Sequence, residues 1–329
     1  MPKDIQEYFS NKIISSSVIS HSGNNQMHDV LTDSGRFLLK RYSPPSLQID
    51  NYDRGQREFS AISSLWKLGF RTIPRPIFFY PNDSVGIYSF LDGSKVLPKD
   101  ITEKEIANMV LFLSGVNNIY NKDKKSFQNE RTCCFSLEDY LKRLDSRANS
   151  INESFEGIPE ARDYFYDLLL PKKERLKSFL KGRKSEFKPE TLSLSEKVVS
   201  YGDFGVHNML VNGSEYFFLD FEYCGLDDPA KQILGFLSHD KHQDISSNLR
   251  AKFLSRYKRT TRLDCNFEER LNLLSSWAEM DWAFIYMNPF SRKYLSHMGF
   301  SHDQTSLEFV RSERMQKSIT RVKRLSFLN

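Results

Sequence analysis

The chain has 329 residues, of which 39% are hydrophobic and 27% are charged, and its formal net charge at pH 7 is +5. This is the composition of a water-soluble protein that can bury one large core or form two lobes. The longest apolar runs are far shorter than the ~20 residues needed to cross a bilayer, so no transmembrane segment is expected. The basic excess is small and spread along the chain, which argues against nucleic-acid binding.

The first residues of the sequence contain acids and no apolar stretch, so no secretory signal is expected. The four cysteines (Cys133, Cys134, Cys224 and Cys265) form no Cys-X-X-Cys pair and have no histidine at metal-ligand spacing. This pattern predicts reduced thiols in a cytoplasmic protein and makes a zinc site an unfavoured interpretation.

Residues 13–92 are predicted to be rich in β-strands. Short apolar segments separated by Gly, Pro, Asn and Asp predict strands at 13–14, 18–19, 27–30, 36–42, 77–80 and 85–90. One helix interrupts them: Asp53 is expected to cap it, apolar side chains recur at helical spacing, and Gly69 is expected to end it.

From about residue 100 onward the pattern is mostly helical. Helices are predicted at 101–121, 136–150, 159–182, 229–240, 243–259, 267–288 and 303–324. The sequence therefore predicts an α+β protein with a small β-rich lobe over residues 1–92, a larger, mainly helical lobe over 93–329, and a hinge near 88–93.

The stretch 198–229 departs from the helical pattern. Residues 209–211 and 216–219 are strand-like and are joined by Asn212-Gly213-Ser214, a strong signal for a hairpin turn. Folding about this turn brings residue 208 within a register step or two of residue 220.

Three oxygen-bearing side chains surround this predicted hairpin: Asn208 and Asp220 at its open end, and Asp203 five residues upstream. Carboxylate and amide oxygens suit Mg²⁺, and a nearby aspartate could accept a proton from a hydroxyl, as phosphoryl transfer requires. The alternative is a polar loop in which Asp and Asn only form turns. That alternative accounts well for any one of these residues, but it accounts poorly for the presence of all three at this spacing.

The segments DFGVHN at 203–208, LDFE at 219–222 and DDP at 227–229 resemble the core of the aminoglycoside phosphotransferase and choline kinase family. Members of that family have the protein-kinase-like fold and phosphorylate small-molecule hydroxyls with ATP. The resemblance implies that Asp203 is the catalytic base and that Asn208 and Asp220 hold magnesium.

Two positions depart from the family pattern. Tyr201 stands where the family usually has histidine, and Gln232 stands where many relatives have an acid. Both are expected to support the site from behind. We therefore expect them to affect rate and geometry more than the reaction itself.

The resemblance also implies a nucleotide-binding role for the small lobe. A kinase-like enzyme needs a strand lysine that holds the phosphates and a helix glutamate that holds the lysine. Lys40 and Glu58 fit these places, although Arg41 and Arg57 are adjacent competitors.

Two further segments of the small lobe are expected to contact the nucleotide. The phosphate-covering loop would contain Ser22, Gly23, Asn24 and Asn25, since Gly and Asn permit a tight turn that presents amide donors. The backbone of the hinge at Ser89, Phe90 and Leu91 would contact the adenine.

Candidate substrate residues lie on the predicted C-terminal helices. Trp277, Asp281 and Asn288 share a helix face, and an aromatic ring beside a carboxylate suits a sugar ring or an amine. The favoured alternative is a buried amphipathic helix with Trp277 in the core and Asp281 at its rim. The last helix carries Arg314, Lys317, Arg321 and Arg324, which are interpreted as a solvated face or as a rim that attracts an anionic substrate.

Together these features predict an ATP- and Mg²⁺-dependent kinase that phosphorylates an alcohol of a sugar, aminoglycoside or amino-alcohol acceptor, such as a glycan precursor. The alternative is a catalytically silent relative that binds nucleotide as a scaffold. A protein-substrate kinase is less favoured, because the sequence has no recognisable set of HRD, DFG and APE motifs with an activation loop.

Overall fold

The computed structural model describes residues 4–20, 25–43, 52–151, 155, 159–291 and 307–325. The chain packs into two compact units. The first unit contains the described residues before Leu97 together with Asn208–Tyr223, and the second contains Leu97–His207 and the described residues from Cys224 onward.

The strands of the described chain are β1 (Ile13–Ser20), β2 (Asn25–Thr32), β3 (Gly35–Tyr42), β4 (Pro76–Tyr80), β5 (Val85–Ser89), β6 (Ser94–Lys95), β7 (Val198–Ser200), β8 (Met209–Asn212), β9 (Glu215–Phe218) and β10 (Gly225–Asp227). The α-helices are α1 (Arg54–Lys67), α2 (Glu103–Asn117), α3 (Asn121–Lys124), α4 (Leu137–Ile151), α5 (Pro159–Asp163), α6 (Leu170–Gly182), α7 (Pro229–Ser238), α8 (Ser247–Thr260), α9 (Phe267–Leu273), α10 (Ser275–Tyr286) and α11 (Leu307–Lys323).

An antiparallel sheet with strand order β1-β2-β3-β5-β4 forms the first unit, and α1 packs against it. The predicted runs 13–14 and 18–19 are one irregular strand, β1, whose register against β2 shifts twice. The sheet alternates inward and outward residues, so its inner face supplies a core that includes Val30, Leu39, Val85 and Ile87.

Helix α1 begins and ends where the sequence predicts. The Asp53 carboxylate accepts a hydrogen bond from the Gln56 amide at 2.9 Å, which caps the first turn. After Leu68 the chain leaves the helix through Gly69, whose φ of 94° is readily adopted by glycine. The cap fixes the start of the helix and therefore the position of Glu58 in its second turn.

The predicted hairpin is confirmed. Met209 pairs with Phe218 and Asn212 pairs with Glu215, so Gly213 and Ser214 form the turn, with Gly213 at a φ of 61°. Strand β6 adds to the edge of β8 and makes a three-stranded sheet. The predicted boundary at residue 92 assigned this hairpin to the larger lobe, whereas its contacts place it in the first unit, which continues to Val96.

The second unit is mainly helical, and α10 packs against α4, α7 and α11. The predicted helix 267–288 divides at Leu274 into α9 and α10, and 159–182 consists of α5, a π-helical segment (Tyr164–Leu169) and α6. The predicted helices 101–121, 136–150, 229–240, 243–259 and 303–324 correspond to α2, α4, α7, α8 and α11, with described ends within four residues of the predicted ones, and α3 was not predicted separately. Across the described residues, no helix is both long and apolar enough to cross a membrane.

Candidate active site

Lys40 lies in the second half of β3, and its buried ammonium group contacts three carboxylates of the first unit. Its Nζ is 2.7 Å from Glu58 Oε2, 2.9 Å from Asp220 Oδ1 and 3.2 Å from Glu222 Oε1. Burial alone would lower the pKa of Lys40, but Asp220, Glu58 and Glu222 outweigh it and raise that pKa well above its usual range. The lysine therefore stays charged.

Both carboxylate oxygens of Glu58 are held. The Tyr42 hydroxyl donates to Oε2 at 2.7 Å, and the Phe221 amide donates to Oε1 at 3.0 Å. Tyr42 and Tyr88 share a hydrogen bond of 2.8 Å, and burial raises the pKa of each phenol well above its usual range. The glutamate is thus fixed as the acceptor that orients Lys40.

Glu222 is a site residue to which the sequence analysis gave no role. Besides Lys40, it contacts Arg54 Nη1 at 3.2 Å and accepts a hydrogen bond from the Asn25 amide group. Burial would raise its pKa, but Lys40 and Arg54 lower it below the usual value. Its position two residues after Asp220 is the sequence signal that could have identified it.

Asp220 differs from its two neighbouring carboxylates because 40% of its side chain is exposed. Partial burial, opposed by Lys40 and reinforced by Glu222 and Glu58, raises the pKa of Asp220 to about 7. The group has three carboxylates facing two cations, Lys40 and Arg54. It therefore has an excess of negative charge that a further cation at the exposed carboxylate would relieve.

The donor set at this position fits a hard divalent cation. Ligand oxygens of Glu58, Asp220 and Glu222 lie within 4.8 Å of one another. The Leu219 amide donates to the Asn208 carbonyl at 2.8 Å, which places Asn208 beside the start of the Asp220 segment. Carboxylate and amide oxygens without thiol or imidazole suit Mg²⁺ better than zinc.

The predicted phosphate-covering loop lies mostly outside the described residues. Ser22, Gly23 and Asn24 are not among the described residues, and Asn25 is the first residue of β2.

In the predicted hinge, the Ser89 amide donates to the Arg75 carbonyl at 2.9 Å and the Phe90 amide donates to the Arg36 carbonyl at 3.2 Å. These two amides are therefore already hydrogen-bonded within the protein. A purine would have to bind other backbone groups of the hinge, such as those of Leu91.

In the second unit, the loop after β7 presents Asp203 between two histidines. Asp203 Oδ2 is 3.2 Å from His207 Nε2, and Asp203 Oδ1 is 3.3 Å from His239 Nε2. Burial alone would raise the pKa of Asp203, but the hydrogen bonds from His207 and His239 hold it well below its usual range. Asp203 is thus a partly exposed, ionised carboxylate.

The two departures from the family pattern are buried in this unit. The ring of Tyr201 packs edge-on against Phe204 of the same loop, with centroids 5.3 Å apart, and against Phe112 of α2 at 6.1 Å. Gln232 on α7 accepts a hydrogen bond from the Asn117 amide group at 3.0 Å. Tyr201 therefore fills the space behind the Asp203 loop.

Two candidate substrate residues prove to be internal. The Trp277 indole donates to the Tyr140 carbonyl at 2.9 Å, and the Asp281 carboxylate lies between Arg143 and Arg147 at 3.2 and 3.1 Å. The burial of Trp277 favours the alternative of a buried helix over a substrate contact, whereas Asp281 is internal and not at the rim that this alternative gave it. The reason is that α10 is covered on several sides by other helices. Asn288 begins the 3-10 turn that follows α10.

The basic residues of α11 are also paired. Arg321 is buried, contacts Glu279 at 3.0 Å and donates to the Ser238 carbonyl at 2.6 Å, so the solvated-face interpretation is wrong for this residue. Lys317 contacts Asp240 at 3.2 Å. A groove of about 490 Å³ runs along this helix.

The antiparallel sheet, its Lys40–Glu58 pair, the hairpin and the helical second unit together make a protein-kinase-like α+β fold. Residues 17–265 match the model of the Phosphotransferase enzyme family, which is more than half of the chain. The chain therefore belongs to that family, as its motifs predict. No protein of curated function matches the sequence.

Solved structures agree on the fold. A spectinomycin phosphotransferase in complex with ADP and spectinomycin is 12% identical, with a TM-score of 0.61, and the match covers 98% of this chain and 99% of that chain. A choline kinase from Streptococcus pneumoniae is 12% identical, with a TM-score of 0.62 and coverage of 95% and 94%. An ethanolamine kinase from Plasmodium vivax is 16% identical, with a TM-score of 0.59 and coverage of 95% and 84%.

Proposed function

We propose that this protein is an ATP- and Mg²⁺-dependent kinase that transfers the γ-phosphoryl group to the hydroxyl of a small molecule of the sugar, aminoglycoside or amino-alcohol type. The observation that carries the proposal is the contact of Lys40 with both Glu58 and Asp220. It joins a lysine suited to phosphate with a carboxylate suited to a metal. The solved relatives that act on spectinomycin, choline and ethanolamine support this class of acceptor.

Lys40 would bind the nucleotide phosphates. Its ammonium group is a compact charge that can turn from the carboxylates toward a phosphate oxygen. Glu58 is anchored by Tyr42 and by the Phe221 amide, so it keeps the lysine in place while a ligand enters. This arrangement reduces the reorganisation that nucleotide binding would require.

Asp220 and Asn208 would hold Mg²⁺. Asp220 offers a partly exposed carboxylate, and Asn208, whose backbone bonds to Leu219, would add its amide oxygen. When bound, the ion would neutralise charge on the phosphate oxygens. Glu222 and Glu58 would keep Lys40 next to Asp220, because both contact its Nζ.

Asp203 would orient the acceptor hydroxyl and take its proton. As the acceptor oxygen bonds to the γ-phosphorus, the bond from that phosphorus to the β–γ bridging oxygen breaks, ADP leaves, and the proton passes to the carboxylate. In a loose phosphoryl-transfer transition state this proton moves late, so positioning matters more than base strength. A weakly basic carboxylate is therefore sufficient.

The test is ADP release with ATP, Mg²⁺ and a panel of alcohols that includes amino-alcohols, aminoglycosides and sugars. We expect at least one alcohol to stimulate turnover, and Asp203→Asn to reduce that turnover on the order of 10²–10⁴-fold while nucleotide still binds. The control, Lys184→Ala, alters an exposed ion pair and should leave the rate unchanged.

Two outcomes contradict the proposal. Retention of acceptor-dependent turnover near the wild-type rate in Asp203→Asn would remove Asp203 from the mechanism. Nucleotide binding by the wild type without turnover on any alcohol would favour the scaffold alternative.

A further inference from the structure

Three histidines of the second unit surround the Asp203 loop, although His207 is distant in the sequence from the other two. His207 lies on the loop itself, His239 follows α7, and His242 lies three residues later. The rings of His207 and His239 stack with centroids 4.6 Å apart, and His239 meets the Trp282 ring edge-on at 5.0 Å. This packing fixes the directions in which the ring nitrogens point.

The hydrogen-bond partners assign the protons on these rings. An ionised carboxylate can only accept, so the Nε2 atoms of His207 and His239 that face Asp203 must carry hydrogens. His242 has the opposite arrangement, because its Nε2 accepts from the Val206 amide at 3.2 Å and its Nδ1 donates to the Phe236 carbonyl at 2.8 Å. His242 thus holds the loop backbone, while the other two rings hold the carboxylate.

The charge state of His242 agrees with this assignment, since burial lowers the pKa of this ring to about 3. A neutral imidazole with hydrogen on Nε2 donates to the carboxylate without forming an ion pair that would quench its charge.

Gly205 makes room for the cluster. A Cβ at this position would lie 2.4 Å from His242 Nε2 and 2.7 Å from the ring of His207. Any side chain would therefore displace the rings that contact the loop and the carboxylate.

We propose that His239 and His207 are positioning residues, a histidine clamp that holds the two oxygens of the Asp203 carboxylate and fixes its plane toward the acceptor hydroxyl. The proposal rests on the role of Asp203 in the proposed function. Each histidine contacts a different oxygen, so together they restrict rotation of the carboxylate, which a single partner cannot do. Positioning of this kind is what phosphoryl transfer demands of its base.

The two functions of the His239 ring, packing and donation, can be separated by substitution. His239→Phe keeps an aromatic ring against His207 and Trp282 but removes the N–H. His239→Gln loses the ring but keeps an amide N–H at a similar reach. We expect His239→Phe to lower kcat by about 10–100-fold, as is usual when a supporting hydrogen bond is lost, with KM for ATP unchanged. His239→Gln should stay within about threefold of wild type.

A double-mutant cycle tests whether the effect passes through Asp203. In an Asp203→Asn background, His239→Phe should cause no further loss of rate. Trp282→Phe serves as the matched control, because it changes the packing of His239 and leaves the N–H in place. Equal activity of His239→Phe and wild type, or equal losses in the Phe and Gln variants, would overturn the clamp.

A readout without turnover separates failure of the clamp from failure of the proposed function. In ¹⁵N-labelled wild-type protein, His207 and His239 should show hydrogen on Nε2, and His242 should show hydrogen on Nδ1. Hydrogen on Nδ1 of His239 would overturn the clamp even in an active kinase. The predicted tautomers in a protein that phosphorylates no alcohol would support the clamp geometry and contradict the kinase function alone.

Discussion

Each unit of the molecule contains a buried group of opposite charges, and the two groups are built differently. In the Lys40 cluster (Lys40, Arg54, Glu58, Asp220 and Glu222), carboxylates outnumber cations and Asp220 is 40% exposed. In the Asp281 cluster, Arg143 and Arg147 share one buried carboxylate. The first group has unbalanced charge at an exposed position, whereas the second has its only carboxylate sealed between helices.

This difference separates a candidate ligand site from a structural contact. A buried charge with all its partners in place adds little net stability to the fold. Removal of one partner is nevertheless strongly destabilising, because it leaves a charge buried without compensation. An exposed carboxylate with raised pKa is poorly satisfied by the protein and is available to a cation. The same residue type, aspartate, is therefore expected to serve binding at position 220 and stability at position 281.

The largest expected effect is on stability. Asp281→Asn removes the carboxylate that Arg143 and Arg147 share. We expect a loss of about 3 kcal/mol in the free energy of unfolding, the lower end of the range for broken buried pairs, since Arg147 is 25% exposed. Urea unfolding at pH 7 measures it.

The pH dependence of Asp281 has a defined sign. Its pKa is lowered by Arg143 and Arg147 against the effect of burial, so its contribution is complete above the pKa of an unfolded aspartate, ~3.9, and is lost as the pH falls below that value. The stabilities of wild type and Asp281→Asn should therefore converge in acid. The control Glu186→Gln, in an exposed pair with Arg183, should leave the free energy of unfolding nearly unchanged. Equal stability of Asp281→Asn and wild type at pH 7 would contradict the structural assignment.

An effect of similar size, on activity, is expected at Asp220. Asp220→Asn keeps the shape and suits the left-handed backbone at this position, where φ is 69°. It removes the exposed charge that would hold the metal, so we expect turnover to fall on the order of 10²–10³-fold and MgATP to bind more weakly. The free energy of unfolding should stay equal or rise, since one carboxylate of an excess is removed.

Calorimetric titration with MgATP, together with urea unfolding, measures both parts of the Asp220 prediction. Unchanged affinity and turnover would exclude Asp220 as a metal ligand. A large loss of stability would instead make the Lys40 cluster structural, like the Asp281 cluster.

The smallest effect is expected at Trp277. Trp277→Phe keeps most of the packing but leaves the Tyr140 carbonyl without its indole donor, at a cost of about 1–2 kcal/mol in the free energy of unfolding. KM for the acceptor should not change, because the indole is internal. A selective rise in that KM, with stability unaffected, would restore the substrate role predicted from the sequence.

The structural features predicted most accurately from the sequence are those that depend on local interactions. The cap at Asp53 lies three residues from its partner amide, and the hairpin brings Asn208 and Asp220 to one end through a two-residue turn. Such features depend on backbone preferences that a few neighbouring residues determine. The family was equally predictable, because its motifs lie within one short stretch, residues 203–229.

Other features depend on partners that the sequence does not bring together. Lys40 contacts Asp220 across 180 positions, and Asp281 contacts Arg143 across 138. His239 reaches Asp203 from the end of α7. A local sequence pattern does not predict which of several lysines, histidines or arginines will pair with a given carboxylate.

The sequence alone therefore determined the β-rich and helical regions, the hairpin and the family, because periodicity, turn chemistry and short motifs are encoded by near neighbours. Only the tertiary structure decided that Glu222 joins Lys40, that two histidines hold Asp203, and that Asp281 and Arg321 are internal. The physical reason is that burial and charge pairing depend on which distant surfaces pack together, and the cost of an unpaired buried charge then selects the partners.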